Sequence, residues 1–288
     1  MNYEIIHTTE YDYSDPVSVS HHVVRLGPRG LPRQQCVQHE LQIMPPPAVT
    51  STRTDYFGNT TVFFAMQGPH ERLTVSARSR VSLIPASLPN LSETPPWETM
   101  LDRTKLPLDV VEFVFDSSLV RSSIELLAYA GPSFPQSRPL LEAVGDLTRR
   151  IHDEFTFDPK ATTVATPLTE VFKSKRGVCQ DFAQLEIACL RSLGLPARYV
   201  SGYLETVPPP GKPRLVGADA SHAWLSVYCP ENGWIDVDPT NNLFPSDTHV
   251  TLAWGRDYSD VSPIRGVILG GGEHSLRVGV DMVQLGER

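Results

Sequence analysis

Along the first 86 residues, apolar and polar positions alternate with a period of two. Leu73, Val75, Ala77, Val81 and Leu83 alternate almost cleanly, and Val37, Leu41 and Ile43 do so in an earlier run. Successive side chains of an extended chain point to opposite faces, so these runs predict strands that bury one face each. EIIHTTEYDYS, HHVVRLGP, CVQHELQIM, TTVFFAMQ and ERLTVSARSRVSL are such runs, separated by turn signals that include Gly58-Asn59 in DYFGNT. Their spacing of roughly 10–15 residues predicts an antiparallel, β-sandwich-like domain over 1–86.

Residues 87–116 carry Pro89, Pro95, Pro96 and Pro107, a density that predicts an irregular linker. From 117 onward the period lengthens. Leu140, Val144, Leu147, Ile151 and Phe155 step by three or four, the stripe of an amphipathic helix. A shorter helix before it ends at Gly131, a plausible C′ glycine, and a later one opens with Thr166 as N-cap and Pro167 at the first helical position. The helix from Val178 to Leu193 is apolar around much of its girth and stops before Gly194 and Pro196, so it is expected to be central and buried. Strand patterns return in ARYVSGYLET, SHAWLSVYC and GWIDVD, the last two joined by the loop PENG at 230–233. The expected fold is α+β: the β-domain, the linker, and a core over 117–288 with a buried helix on an antiparallel sheet and the C-terminal strands.

Composition narrows the function classes. The chain of 288 residues is 40% hydrophobic and 20% charged with a net charge of -8, as in globular proteins. Lys and Arg are scattered without a basic stripe, so nucleic acid is not an expected partner. No apolar stretch approaches the length of a membrane span, and the opening MNYEIIHTTEYDYS lacks the basic and apolar regions of a signal peptide, so no membrane partner is expected. Cys36, Cys179, Cys189 and Cys229 show no CxxC spacing of a structural zinc site. Cys179 and Cys189 lie about 15 Å apart along one helix, too far for a disulfide. Four reduced thiols in a cytoplasmic protein are expected. No DxDxDG calcium loop occurs, and His21 and His22, adjacent on a strand, face opposite ways and make poor joint ligands. No metal or cofactor is expected.

The position of Cys179 points to chemistry. It falls at the first turn of the buried helix, after Gly177. Unpaired N–H groups and the positive dipole end there favour a thiolate, and such sites lower a thiol pKa from about 8.5 to as little as roughly 3.5–7.5. A backbone N–H there is also a candidate oxyanion-hole donor. The alternative is a small buried hydrophobe. A thiol nucleophile needs a base, and the base an orienter. His222 lies in SHAWLSVYC, 43 residues after Cys179, and Asp238 follows 16 residues later across the PENG hairpin. Antiparallel partners at that separation lie opposite or one diagonal step apart, within reach of an imidazole–carboxylate hydrogen bond. Asp238 precedes Pro239, which favours extended backbone and ends the strand.

GVCQDFAQL, SHAWLSVYCPENGW and DVDPTNN resemble the three segments of the transglutaminase-like superfamily, whose core is a papain-like Cys-His-Asp thiol fold. YEIIHTTEYDY, RLGPR, QIMPPP, TDYFGNTT and ERLTVSA are similar to the N-terminal β-region of the bacterial transglutaminase-like proteins, and GRDYSDVSPIRG to their C-terminal segment. The resemblance implies Cys179 as nucleophile, His222 as general base and acid, and Asp238 as orienter. Gln184 departs from the pattern, which often has histidine there. The implied chemistry is acyl transfer on peptide or isopeptide amides through an acyl-enzyme. Hydrolysis is favoured over amine transfer because bacterial relatives are usually read as peptidases, and a non-catalytic binding or assembly module retaining the fold stays open. The β-domain is a possible substrate-recruiting or homo-oligomer surface.

Weaker candidates have two readings each. Gln180 could donate to an oxyanion or cap the helix. Asp181 could serve catalysis or, preferably, the helix dipole. Trp224 could line the acyl pocket or fill core. Arg256, Asp257 and Tyr258 could flank the cleft or form a buried ion pair with a stacked tyrosine. The loop VPPPGKPRL at 207–215 could rim the substrate groove or be a stiff surface excursion.

Overall fold

A computed structural model describes residues 1–205 and 221–286. The VPPPGKPRL loop therefore lies outside the described residues.

The alternating N-terminal runs form β1 (Asn2–Val24), β2 (Gln34–Met44), β3 (Val49–Thr54), β4 (Thr60–Met66) and β5 (His70–Leu83). The first two predicted runs are one strand. β1 pairs with β5 from Asn2 to Asp12 and with β4 from Ser20 to Val24, and its ladder to β5 is irregular between Asp12 and Val17. Pro16 lies in that break, where its missing N–H costs no ladder bond. One long bent strand therefore serves two neighbours, and the β-domain is a single antiparallel sheet of order β2-β5-β1-β4-β3, curled into a half-barrel. Leu73, Val75, Ala77, Val81 and Leu83 are all buried. Val37 departs from its predicted buried face and is 64% exposed. The β2–β5 register shifts between Cys36 and Gln38, so Val37 is the extra residue of a bulge and turns outward.

The proline-rich segment is more than a linker. Short 3-10 turns and α1 (Leu108–Val111) cross it, and Met100, Val110, Phe113 and Val114 are buried. Its prolines prevent a regular ladder but leave the apolar side chains free to pack. Next come α2 (Ile124–Ala130), α3 (Leu140–Glu154), β6 (Thr156–Phe157), α4 (Leu168–Ser174) and β7 (Arg176–Gly177). Leu140, Val144, Leu147 and Ile151 are completely buried along the predicted α3 stripe. Two end signals were misplaced. Gly131 has φ -46° and continues into a 3-10 turn instead of reversing the chain. Pro167, not Thr166, holds the α4 cap position, and the Thr166 hydroxyl accepts from the Thr163 N–H in the preceding turn.

α5 (Cys179–Ser192) is the central helix, and β8 (Ala197–Leu204), β9 (Ser221–Cys229), β10 (Gly233–Val237) and β11 (His249–Gly255) form an antiparallel sheet of order β10-β9-β8-β11. Phe182, Leu185 and Ile187 of α5 pack with Ala197 and Tyr199 of β8 and with Leu225 and Val227 of β9 in one cluster. α6 (Tyr258–Val261) then leads to β12 (Ile264–Gly270) and β13 (His274–Leu285). These last strands, assigned from the sequence to the second domain, pair with β1: β12 with Val17–Val24 and β13 with Asn2–Tyr13. Local pattern carries no information about which sheet edge is vacant, and the chain returns to complete its first sheet. Among the described residues, no helix is long and apolar enough to cross a membrane.

Candidate active site

The start of α5 is shaped by two residues. Val178 is extended, and the Asp181 carboxylate folds back to accept from the Val178 N–H at 2.9 Å and the Thr162 hydroxyl at 2.6 Å. A Cβ on Gly177 would lie 2.7 Å from that carboxylate oxygen, so glycine lets Asp181 close the turn. Asp181 is therefore a capping residue, as preferred from the sequence. Cys179, half-buried, takes the first helical position. First-turn N–H groups such as those of Cys179 and Gln180 have no intrahelical acceptor.

The His222 imidazole reaches both sides of this arrangement. Its Nε2–H donates to Asp238 Oδ2 at 2.7 Å, and the ring lines the same cleft as the Cys179 side chain. Continuing the β9–β10 register, in which Leu225 pairs with Val237, sets Asp238 one diagonal step from His222. Burial disfavours the imidazolium, but the bonds and charges of Asp238 and Cys179 outweigh it, raising the His222 pKa to about 10. Burial likewise opposes ionisation of Asp238. Hydrogen bonds from His222 and His249 prevail and hold its carboxyl well below the usual carboxylate range.

Two members of this network were missed in the sequence. His249 Nε2–H donates to Asp238 Oδ2 at 3.0 Å, and Asn241 Nδ2–H donates to the same oxygen at 2.7 Å. The other oxygen, Oδ1, accepts from the backbone N–H groups of Thr240 and Asn241 at 2.9 and 3.2 Å. The DPTNN stretch carries the signal for these turn bonds, since Asp side chains accept from N–H groups two or three residues on. For His249 no local signal exists. The contact is made across β8, which lies between β9 and β11 and carries Gly202 opposite both His222 and Thr251. A Cβ there would lie 2.0 Å from the Val250 carbonyl and 2.5 Å from the Trp224 ring.

His222, Asp238 and His249 also form the group of possible metal ligands, their ligand atoms all within 4.8 Å of one another. The short N–H···O bonds account for the convergence: a cation here would have to displace both imidazole protons.

Cys179 and His222 open onto a cleft of about 560 Å³. Gln180 and Tyr258 line it too. Trp224 does not: it is completely buried, stacked against His222 with centroids 6.0 Å apart. Arg256 turns away and binds Asp260 through Nε at 2.9 Å and Nη2 at 3.0 Å. Asp257 caps α6 and accepts from the Leu119 N–H at 2.8 Å. Gln184 is buried and accepts from the Tyr258 N–H at 3.4 Å, which ties α6 to α5.

The far wall of the cleft comes from the β-domain. His7, Thr9 and Tyr11 of β1 stand opposite Val280, Val278 and Leu276 of β13, and all six side chains face the cleft. Burial pushes His7 down to about 4, so it is neutral at physiological pH.

A thiol at a helix start shares its cleft with an imidazole anchored by a buried carboxylate. Residues 130–239 match the family model described as the transglutaminase-like superfamily, and residues 3–82 match that of the bacterial transglutaminase-like N-terminal region. An uncharacterized Mycobacterium bovis protein is 42% identical over 289 residues, covering 98% of this chain and 92% of its own. A Pseudomonas aeruginosa protein-glutamine gamma-glutamyltransferase is 32% identical over 153 residues, 44% of this chain and 23% of its own. Among solved structures, a Cytophaga hutchinsonii protein described as a candidate cysteine protease shares the fold with a TM-score of 0.80 at 23% identity, over 100% of this chain and 92% of its own. The chain belongs to the transglutaminase-like superfamily.

Proposed function

We propose that the protein catalyses thiol-dependent acyl transfer on peptide or isopeptide amides, with water as the usual acceptor. The carrying observation is that Cys179, at the start of α5, lines one cleft with His222, whose imidazole is hydrogen-bonded to the buried Asp238 carboxylate. In this reading the Cys179 sulfur attacks the amide carbonyl and forms a C–S bond. His222 gives its proton to the leaving nitrogen as the C–N bond breaks, leaving a thioester. Water then loses a proton to His222 and attacks the carbonyl, and the C–S bond breaks to release the acid and restore the thiol. Asp238 orients the imidazole and stabilises its charged form. The N–H groups at the start of α5 are the candidate donors to the tetrahedral oxyanion.

The cleft lining supports the substrate class. Lys, Arg, Asp and Glu are absent from it among the described residues, while Tyr11, Leu276 and Val278 present partly open apolar surface. Charged side chains beside the scissile amide would lose hydration without gaining a partner, so uncharged, apolar-flanked amides fit best. Amine transfer is the second reading, and the Pseudomonas glutamyltransferase relative favours it.

Exposure to a pool of apolar-flanked peptides with and without a primary amine, followed by mass spectrometry, tests the proposal. A thioester adduct on Cys179, with free acid as product in both samples, is the expected result. Amide product in the amine sample would select the second reading. No adduct and no turnover would overturn both.

A further inference from the structure

A second cavity lies on the face of the four-stranded sheet turned away from α5. Ala197 and Tyr199 of β8 pack in the α5 core, while the alternate residues Arg198 and Val200 line a cavity of about 600 Å³ bordered by Trp234, Trp254 and Arg33.

Arg198 is an unusual residue in that wall. It is 8% exposed, and its guanidinium carbon lies 3.7 Å from the Trp254 centroid and 4.3 Å from that of Trp234. Indole contacts take the flat faces of a guanidinium and leave its N–H groups directed outward in the plane. Nε is buried and has no hydrogen-bond partner, and Arg198 makes no ion pair among the described residues. The nearest charges are balanced in kind: Asp236 and Asp109 favour the cation, and Arg29, which also lies over Trp254 at 3.5 Å, opposes it. Asp236 is already engaged by the Ser226 hydroxyl. Arg33, from the loop between β1 and β2, brings a second buried and unpartnered nitrogen, Nη1, while its Nη2 donates to the Ser246 carbonyl at 3.4 Å. Two guanidinium groups, each with one buried nitrogen that has no partner, thus border one cavity. A desolvated charged donor without an acceptor is costly, so the wall is complementary to an anion.

We propose that this cavity binds a small organic carboxylate, its oxygens taken by Arg198 and Arg33 and its body lying along the indoles. A carboxylate matches the in-plane fork of a guanidinium. The two aspartates at the cavity favour a single negative charge over the double charge of a phosphate, and the aromatic wall suits an organic body. His249 lines the same cavity and hydrogen-bonds Asp238, so the site adjoins the Asp238 network from behind. The proposal does not depend on the reaction assigned to Cys179.

Two of the protein's four tryptophans flank Arg198, so their fluorescence reports occupancy. The probes are benzoate, its uncharged analogue benzamide, inorganic phosphate, and a short peptide with a free C-terminal carboxylate. Benzoate is expected to bind saturably, more tightly than benzamide or phosphate, and roughly tenfold more weakly to Arg198→Lys, which keeps the charge over the indoles but loses the fork. The peptide arm tells a free acid from a chain terminus as the source. Arg33→Met, which leaves the indole stack untouched, is expected to weaken benzoate as well and decides the matter if the Arg198 variant does not fold. Equal binding of benzamide, tighter binding of phosphate, unchanged affinity in Arg33→Met, or no saturable benzoate signal would each overturn the proposal.

Discussion

His249 donates through Nε2 to Oδ2 of Asp238 at 3.0 Å, the same oxygen that His222 reaches at 2.7 Å. The Asp238 carboxylate accepts and cannot donate, so both imidazoles present N–H to it. At its other nitrogen, His249 Nδ1 lies 3.1 Å from the Thr248 hydroxyl, which donates to it when the ring is neutral. His249 thus helps hold the Asp238 carboxylate in place beside His222. His249→Leu is expected to lower kcat/KM by about tenfold, the worth of one hydrogen bond to a charged group. His249→Gln, whose amide nitrogen reaches a similar point, should recover most of the loss. Equal losses in both variants would make His249 a packing residue only.

Thiol chemistry separates the four cysteines. Cys189 and Cys229 are completely buried, and burial raises the pKa of each, to about 11 for Cys229; burial also raises that of Cys36. Iodoacetamide at mildly acidic pH is expected to label Cys179 first, as read by peptide mass mapping. Cys179→Ala should abolish turnover with little change in Tm, because the side chain sits half-open at a helix start. Uniform labelling of all four would remove the case for an activated sulfur.

The raised His222 pKa sets a pH window. The folded protein holds its imidazolium up to about 10, against 6.5 for the free side chain. The stabilisation this represents is complete below pH 6.5 and is lost as pH rises through about 10. Activity that depends on the imidazolium should fall on that basic limb. Asp238→Asn keeps an acceptor for the His222 N–H but removes the charge, and is expected to move the limb toward neutrality. A limb that stays in place would mean another group controls it.

Glu186, two turns along α5 from Cys179, is completely buried; Oε1 lies 2.8 Å from the Thr148 hydroxyl, and Oε2 has no partner. Burial pushes it up to about 8, against that hydrogen bond and with some help from the charge of Asp238. The Thr148 hydroxyl has one proton and also lies 2.8 Å from the Val144 carbonyl. A protonated Glu186 that donates to Thr148 through Oε1 leaves the hydroxyl free to donate to the Val144 carbonyl. The unfolded carboxyl ionises near 4.5 and the folded one near 8, so stability falls as pH rises across that window. Glu186→Gln preserves the donor and should flatten the fall, gaining on the order of 2–4 kcal/mol at pH 8 in urea unfolding. A variant no more stable than the parent at pH 8 would place the ionised form in the fold.

The place of Cys179 at a helix start and the hydrogen bond between His222 and Asp238 were legible because each rests on local chemistry. A glycine and an extended residue precede a helix, and two strands share a short hairpin whose parity follows from the loop. Local pattern left two readings for Trp224 and the fold takes the core one, because a side chain two residues from His222 on one strand shares its face while lying deeper against His249. Of the two readings for Arg256, the fold takes the ion pair, since the backbone of α6 brings Asp260 within reach. Val37 was lost to one bulge, which shifts the parity that the pattern relies on.

The sequence by itself determined what depends on period and on neighbours in the chain: the strands, the buried helix, the thiol at its start and the hairpin that brings an imidazole to a carboxylate. Only the tertiary structure decided that β13 closes against β1 to wall the cleft, that His249 reaches the Asp238 carboxylate, and that Arg198 lies between two indoles. Those contacts join residues far apart in the chain, and they are selected by which edges and volumes stay vacant once the local elements have packed.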